Sequence, residues 1–395
     1  MNIKIGSREV GSNKPVFFIA DIAANHCGEL SIAKELVHAC AESGVDAVKM
    51  QNFSASTIVS DYGFKNLAEV NTHQSGWKQP VFDSYAAAAI PLSWTVELKE
   101  LCAKLEVEYF TSPYSIDLIE AVAPYVSAFK LGSGDINWLE EIEAMCSYDV
   151  PVLIATGASD MVEVEAAMEV ALRHTSDVLL MQCNTEYTAN KTESREDQLN
   201  RYRHINLKVL QTYRNRWVDV PLGLSDHTHG CMTVLGAVGL FDCCAVEKHF
   251  TFDNTREGQD HSFSMTPDSW QEMVTQTREL KEELFASKAT SYEDRLKIVR
   301  KRVDDPRALE LAIGDGVKRV EANEANTVIV QRRALRYMRP LVAGTIIGKD
   351  HIFPLRPCPK EAVSPDRVGE VIGKRLTKDV VEGSHILISD LQTVE

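Results

Sequence analysis

Across residues 1–285 the chain alternates short apolar runs with longer amphipathic ones. Val16–Ala20 ("VFFIA") is apolar throughout, as in a strand buried on both faces. The segment after it, "SIAKELVHACAESG", places Ile32, Ala33, Leu36, Val37 and Cys40 at helical spacing. That pattern predicts a helix capped by Ser31 and ended by Gly44. Asp46–Gln51 ("DAVKMQ") reads as a second strand, and six more follow: Val107–Ser112, Ala128–Ser133, Val152–Gly157, Val178–Cys183, Leu222–His227 and Ala245–Phe250. Eight such units, with helical stretches between most of them, predict an α/β fold of the (β/α)8 TIM-barrel type. A doubly wound open sheet is the alternative, but no GxGxxG fingerprint follows a strand.

The pattern then changes twice. Residues 286–325 are charged, helical in propensity and poor in aromatics, and read as a connector with one or two helices. Residues 326–395 look like short strands separated by glycine turns at Gly344, Gly348, Gly373 and Gly383, which predicts a small β-rich domain.

Composition narrows the setting. The 395 residues are 44% hydrophobic and 25% charged, ordinary for a globular protein. No apolar run approaches the ~18 residues of a membrane helix, and the opening segment lacks the apolar core of a signal peptide. The expectation is a cytoplasmic protein with no membrane partner. The formal net charge of -15 argues against nucleic acid as a partner, while leaving room for a small anion held by local lysines. Nine scattered cysteines without CxxC spacing are expected to be buried thiols.

Polar residues gather where the predicted strands end, which in a barrel is the face that carries the active site. His227 and His249 close the last two strands, and two imidazoles there suit a divalent metal with open positions for water and substrate. A pair of buried, hydrogen-bonded histidines remains the alternative, with His229 and His261 as substitutes. Lys49 and Lys130 interrupt apolar strands, where an unpaired charge is costly. A bound anion, a buried ion pair or a Schiff base would each account for them. The hydroxyls of Thr111, Ser112, Ser133, Thr156 and Ser225 favour an anion such as phosphate. Asp21, Asp135 and Asp260 are candidates for moving protons or holding sugar hydroxyls, although any one of them taken alone reads better as a helix or turn cap.

These residues sit in "IADIAANHCGELSIAKELVHACAESGVDAVKMQ", "TSPYS", "KLGSGD", "ATGAS", "GLSDHT", "VEKHFTFD" and "GQDHSFSMTPD". In that order and at those intervals, the chain resembles the sialic acid synthases, with their legionaminate and pseudaminate relatives, over nearly its full length. Its last part is similar to their antifreeze-like SAF domain. The resemblance implies a manganese-dependent enzyme, with magnesium or cobalt as alternatives. Phosphoenolpyruvate would add to an open-chain amino sugar, giving a nine-carbon 2-keto acid and phosphate. It implies that His227 and His249 hold the metal, and that Lys49, Lys130, Ser133 and Ser225 hold phosphoenolpyruvate. Asp135 and Asp260 would bind sugar hydroxyls, with Gln51 and Tyr187 on the same rim and Asp21 handling a proton or water. It also implies a domain-swapped homodimer in which Arg356 of "PLRPCP" reaches the partner's barrel.

The chain departs from the family pattern at several places. Asp21 and Asp135 stand where the family has glutamate, and Ala155 replaces a serine. "CNTEYT" is followed by a longer polar insertion, "ANKTESREDQLNRYRH", and "RPCPKEAVSP" replaces a glycine-containing motif. These changes surround the sugar end of the expected pocket, so an acceptor other than N-acetylmannosamine is expected. The competing readings are a 3-deoxy-ulosonate synthase acting on a phosphorylated aldose, and a non-catalytic sugar-binding relative.

Overall fold

A computed structural model describes residues 2–68, 70, 73–187 and 194–394. Eight parallel strands close into a barrel: Phe17–Asp21, Ala47–Asn52, Glu108–Pro113, Phe129–Leu131, Val152–Ala155, Val178–Cys183, Leu222–Ser225 and Ala245–His249. Each predicted strand is present, with ends displaced by no more than two residues. The eighth strand pairs with the first, and the register sets His249 beside Asp21 and Asp21 beside Lys49. On the other side Glu247 lies level with Ser225. Residues scattered over the chain thus share one level at the barrel's carboxyl end.

The first helix runs Leu30–Glu42 and buries Ala33, Leu36, Val37 and Cys40 against the barrel. It starts two residues before the sequence suggests: Glu29 is the N-cap residue, and Ser31 lies inside the helix without capping it. Gly44 does end it, with φ +80, a left-handed turn that glycine adopts at no steric cost. A hairpin of Ile3–Ile5 and Arg8–Val10 covers the opposite end of the barrel. Ser7 and Arg8 bond there to Glu108 and Asp46, at the amino ends of the third and second strands.

The connector is docked along the barrel. Helices Tyr292–Arg302 and Pro306–Ile313 pack over Met232–Phe241. Close contact is possible because Gly239 faces Val299, where a Cβ would come within 2.3 Å. Of the polar insertion, residues 189–193 lie outside the described residues, and Arg195–Tyr202 form a helix capped by Ser194. The chain then crosses the barrel mouth through helix Ala325–Gln331. Buried Glu324 fastens this crossing: one carboxylate oxygen accepts from Ala158 N (2.7 Å), Thr185 N (2.7 Å) and Thr185 Oγ1 (3.0 Å).

The C-terminal region holds four short strands: Ala334–Tyr337, Ile352–Leu355, Arg375–Leu376 and Leu391–Gln392. Gly344, Gly373 and Gly383 have positive φ, as the turn reading expects. Gly348 does not; it precedes a short 3-10 turn with φ -107. This domain sits on the barrel of its own chain. Arg356 N donates to Ile58 O (3.0 Å), and Ser60 N donates back to Arg356 O (2.8 Å). Fully buried Arg333 donates to Asp135, Thr57 O, Pro354 O and Tyr114 O, its guanidinium lying 4.6 Å from the Trp138 ring. Within this single chain, Arg356 lines the barrel's cavity. Among the described residues no helix is long and apolar enough to cross a membrane.

Glu324→Ala strands two buried backbone N–H groups, so urea unfolding should show a loss of about 2–4 kcal/mol. A change below about 0.5 kcal/mol would show that the crossing is held by something else.

Candidate active site

One cavity opens at the carboxyl ends of the strands, about 770 Å³ including its solvent-open side. Successive side chains on a strand face opposite ways. Lys49 and Gln51 of the second strand therefore both enter it, as do Glu247 and His249 of the eighth. Asp21, Ser112, Lys130 and Ser133 also line it, together with Tyr187, Ser225, His227, Asp260 and Arg356.

Three predicted residues do not line the cavity. Thr111 neighbours inward-facing Ser112 and so points outward, donating to Met50 O (3.0 Å) and Asn52 Oδ1 (2.7 Å). Thr156 donates to Met181 O (2.9 Å) and accepts from the Tyr213 hydroxyl (2.9 Å). Asp135 lies behind the cavity, paired with Arg333 (2.6 Å) and Arg356 (3.1 Å). Its carboxylate holds the cap's arginines and is not presented to a ligand.

Sequence reading missed Glu247. Its Oε1 accepts from Lys130 Nζ (3.1 Å) and Ser225 Oγ (3.3 Å), and lies 3.7 Å from Lys49 Nζ. Its Oε2 is buried without a partner. The signal was present: Glu247 stands two residues before His249 on one strand, hence on the same face. Phe53, Ile58, Trp77, Tyr85, Gln259 and Gln331 were also missed. They come from loops and short helices outside the predicted strands, namely Ala55–Ile58, Val81–Ala88 and Ala325–Gln331, which the strand periodicity does not point to.

Both lysines are ion-paired, as one of the sequence alternatives has it, yet both still face the cavity. Lys49 Nζ meets Asp21 Oδ2 at 2.6 Å. Burial by itself would push the Lys49 ammonium down, but the carboxylates of Asp21 and Glu247 outweigh it and hold it above its ordinary value. Asp21 also accepts from Gln51 Nε2 (3.1 Å). Asp260 accepts from Ala24 N (3.1 Å). Removal from water pushes its carboxyl up to about 6, with a further push from Asp21.

The two imidazoles stand 5.4 Å apart between ring centroids, tilted by 45°. His227 Nδ1 meets Asn184 O at 2.9 Å. The carbonyl can only accept, so Nδ1 carries the hydrogen and Nε2 keeps its lone pair. His249 Nδ1 is buried without a partner, and its Nε2 lies 3.7 Å from Asp21 Oδ2. Burial pushes both rings down, to about 4 for His227 and about 3 for His249, so both are neutral near pH 7. Neutral imidazoles, an orphaned ring nitrogen and the orphaned Glu247 oxygen fit a divalent cation. Among the described residues no cluster of three or more His, Cys, Asp or Glu side chains is arranged to hold a metal. His261 bonds instead to Thr251 (2.7 Å), and His229 lines a different cavity.

Comparison with known proteins gives a consistent picture. Residues 36–288 match the NeuB family and residues 332–392 the SAF domain. The chain is 30% identical over 390 residues to the N,N'-diacetyllegionaminic acid synthase of Legionella pneumophila, covering 97% of this chain and 96% of that protein. It is 23% identical to a pseudaminic acid synthase of Campylobacter jejuni, covering 96% and 98%. The crystal structure of spore coat polysaccharide biosynthesis protein SpsE from Bacillus subtilis superposes over 100% of both chains, with TM-score 0.77 and 23% identity. At that identity the superposition shows a shared fold.

Glu247→Gln removes the charge shared by Lys49 and Lys130 and should lower unfolding stability by about 3 kcal/mol. Inorganic phosphate should then raise Tm more in the variant than in the parent, because an anion replaces the missing charge. Equal shifts would contradict this account of the cavity.

Proposed function

The chain belongs to the NeuB family, and on that premise we propose that it condenses phosphoenolpyruvate with an open-chain N-acylated amino sugar. The products are a nine-carbon 2-keto sugar acid and inorganic phosphate. One observation carries the reading: two ammoniums, two neutral imidazoles and Asp21 share a single cavity at the strand ends. We assign residues 1–285 to catalysis, 286–325 to the connector and 326–395 to the cap that delivers Arg356.

Lys49 and Lys130, with the hydroxyls of Ser112, Ser133 and Ser225, hold the phosphate and carboxylate of phosphoenolpyruvate. Arg356 lines the same cavity from the cap. A divalent ion, manganese or else magnesium or cobalt, held by His227 and His249, would polarise the sugar aldehyde and orient water. The phosphoenolpyruvate methylene carbon forms the new bond to the aldehyde carbon, and the aldehyde oxygen takes up a proton. Water then adds at the former enol carbon. Asp21 is placed to take the proton from that water, with Lys49 Nζ 2.6 Å from its carboxylate. Phosphate leaves with its bridging oxygen, and the 2-keto group remains.

The far end of the cavity bears on the acceptor. Phe53, Ile58, Trp77 and Tyr85 make it largely apolar, with Gln259 and Asp260 as polar partners. The terminal nitrogens of Arg356 are already engaged by Gln331 (2.8 Å) and Asp135 (3.1 Å). This end suits an uncharged acceptor with N-acyl groups better than one carrying a second phosphate.

Phosphate release from phosphoenolpyruvate with a panel of sugars tests the reading. A 2,4-diacetamido-trideoxyhexose should exceed N-acetylmannosamine in kcat/KM by about tenfold or more, a difference of about 1.4 kcal/mol in transition-state binding. N-acetylmannosamine as clearly the best acceptor would refute the acceptor assignment. A phosphorylated aldose as best acceptor would favour the 3-deoxy-ulosonate reading. No release with any sugar would favour a non-catalytic relative.

His227→Ala should abolish turnover and leave the circular dichroism spectrum intact, since the ring sits at the rim. Near-parental activity with added manganese would remove the ligand assignment.

A further inference from the structure

Lys248 lies between Glu247 and His249 on the eighth strand, so its side chain faces the surrounding helices and not the cavity. It is 1% exposed. Its Nζ donates to Asp226 Oδ2 (2.6 Å), Thr228 O (2.6 Å) and Gly230 O (3.2 Å). Three acceptors match the three N–H bonds of an ammonium. All three belong to Asp226–Gly230, the stretch that carries His227. Asp226 is buried too. Its Oδ2 also accepts from the hydroxyls of Thr228 (2.8 Å) and Thr233 (2.6 Å), and its Oδ1 from Thr228 N (3.2 Å). The loop turns at Gly230 with φ +73. It is wound around the ammonium much as a loop is wound around a bound cation.

The placement couples the two imidazoles. His227 lies one residue from Asp226, and His249 one residue from Lys248. Inside the cavity, His227 has one hydrogen bond of its own, to Asn184 O. Its backbone position is otherwise set from behind.

We propose that Lys248 is a positioning residue for the metal site: its ammonium shapes the Asp226–Gly230 loop and so fixes where His227 stands relative to His249. This rests on the reading of those histidines as metal ligands.

The experiment measures Mn2+ affinity of the full-length protein without substrate, by calorimetry, alongside its affinity for inorganic phosphate. Lys248→Met keeps the length of the side chain and removes its charge. The Mn2+ Kd should rise by about 10- to 100-fold, the range expected when support behind a ligand is lost. The phosphate Kd should stay within about twofold, and the circular dichroism spectrum should be unchanged. Thr233→Val removes one tie to Asp226 and should raise the Mn2+ Kd by about fivefold; it decides the matter if Lys248→Met does not fold. An unchanged Mn2+ Kd in the deciding variant overturns the proposal, and so does a parallel loss of Mn2+ and phosphate affinity. His227→Ala separates the two readings. If it leaves Mn2+ binding intact, the metal assignment itself fails; if it abolishes binding while Lys248→Met changes nothing, only the role of Lys248 fails.

Discussion

Lys49 and Lys130 stand inside the barrel, each with a side chain only 3% exposed, and neither would keep its charge there alone. Asp21 and Glu247 make it possible. Taking four such charges out of water is expensive, and the expense is offset only when distances are short and the remaining hydrogen bonds are made. The barrel meets that condition through strand register. His249, Asp21 and Lys49 come level on three neighbouring strands, and Glu247 reaches across to Lys130. A hydrophobic filling would carry no such desolvation cost. The charged one gives a cavity whose cations are already fixed and desolvated before an anion arrives, which is where such groups act most strongly.

A second buried charge system ties the cap to that cavity. Asp135 receives both Arg333 and Arg356, so the residue that anchors the C-terminal domain also aims the arginine that enters the site. Glu324 does comparable work for the connector by collecting N–H groups from the loops after the fifth and sixth strands. The cap and the crossing are thus seated over the barrel by contacts that are themselves buried and polar.

The family's departures take on a meaning in this frame. Shortening the carboxylate at position 21 still leaves Lys49 at 2.6 Å and Gln51 at 3.1 Å. Asp135 faces arginines and not the acceptor, so its shortening concerns how the cap is seated. Phe53, Ile58, Trp77 and Tyr85 line the same cavity from a segment that the strand-helix pattern passes over.

The sequence by itself determined the barrel, the strand that carries each charged residue and the family. Buried strands must be apolar, so a lysine or histidine inside one stands out, and periodicity is a local property. It could not say which of Thr111 and Ser112 faces inward, because that depends on the register of a closed sheet. Nor could it show Glu247 shared between two lysines, Asp135 turned toward the cap, or Lys248 holding the loop of His227 from outside. Those are pairings between residues up to 221 positions apart. Only the tertiary structure brings them together, because Coulombic and hydrogen-bond contacts act over a few ångströms of space and leave no pattern along the chain.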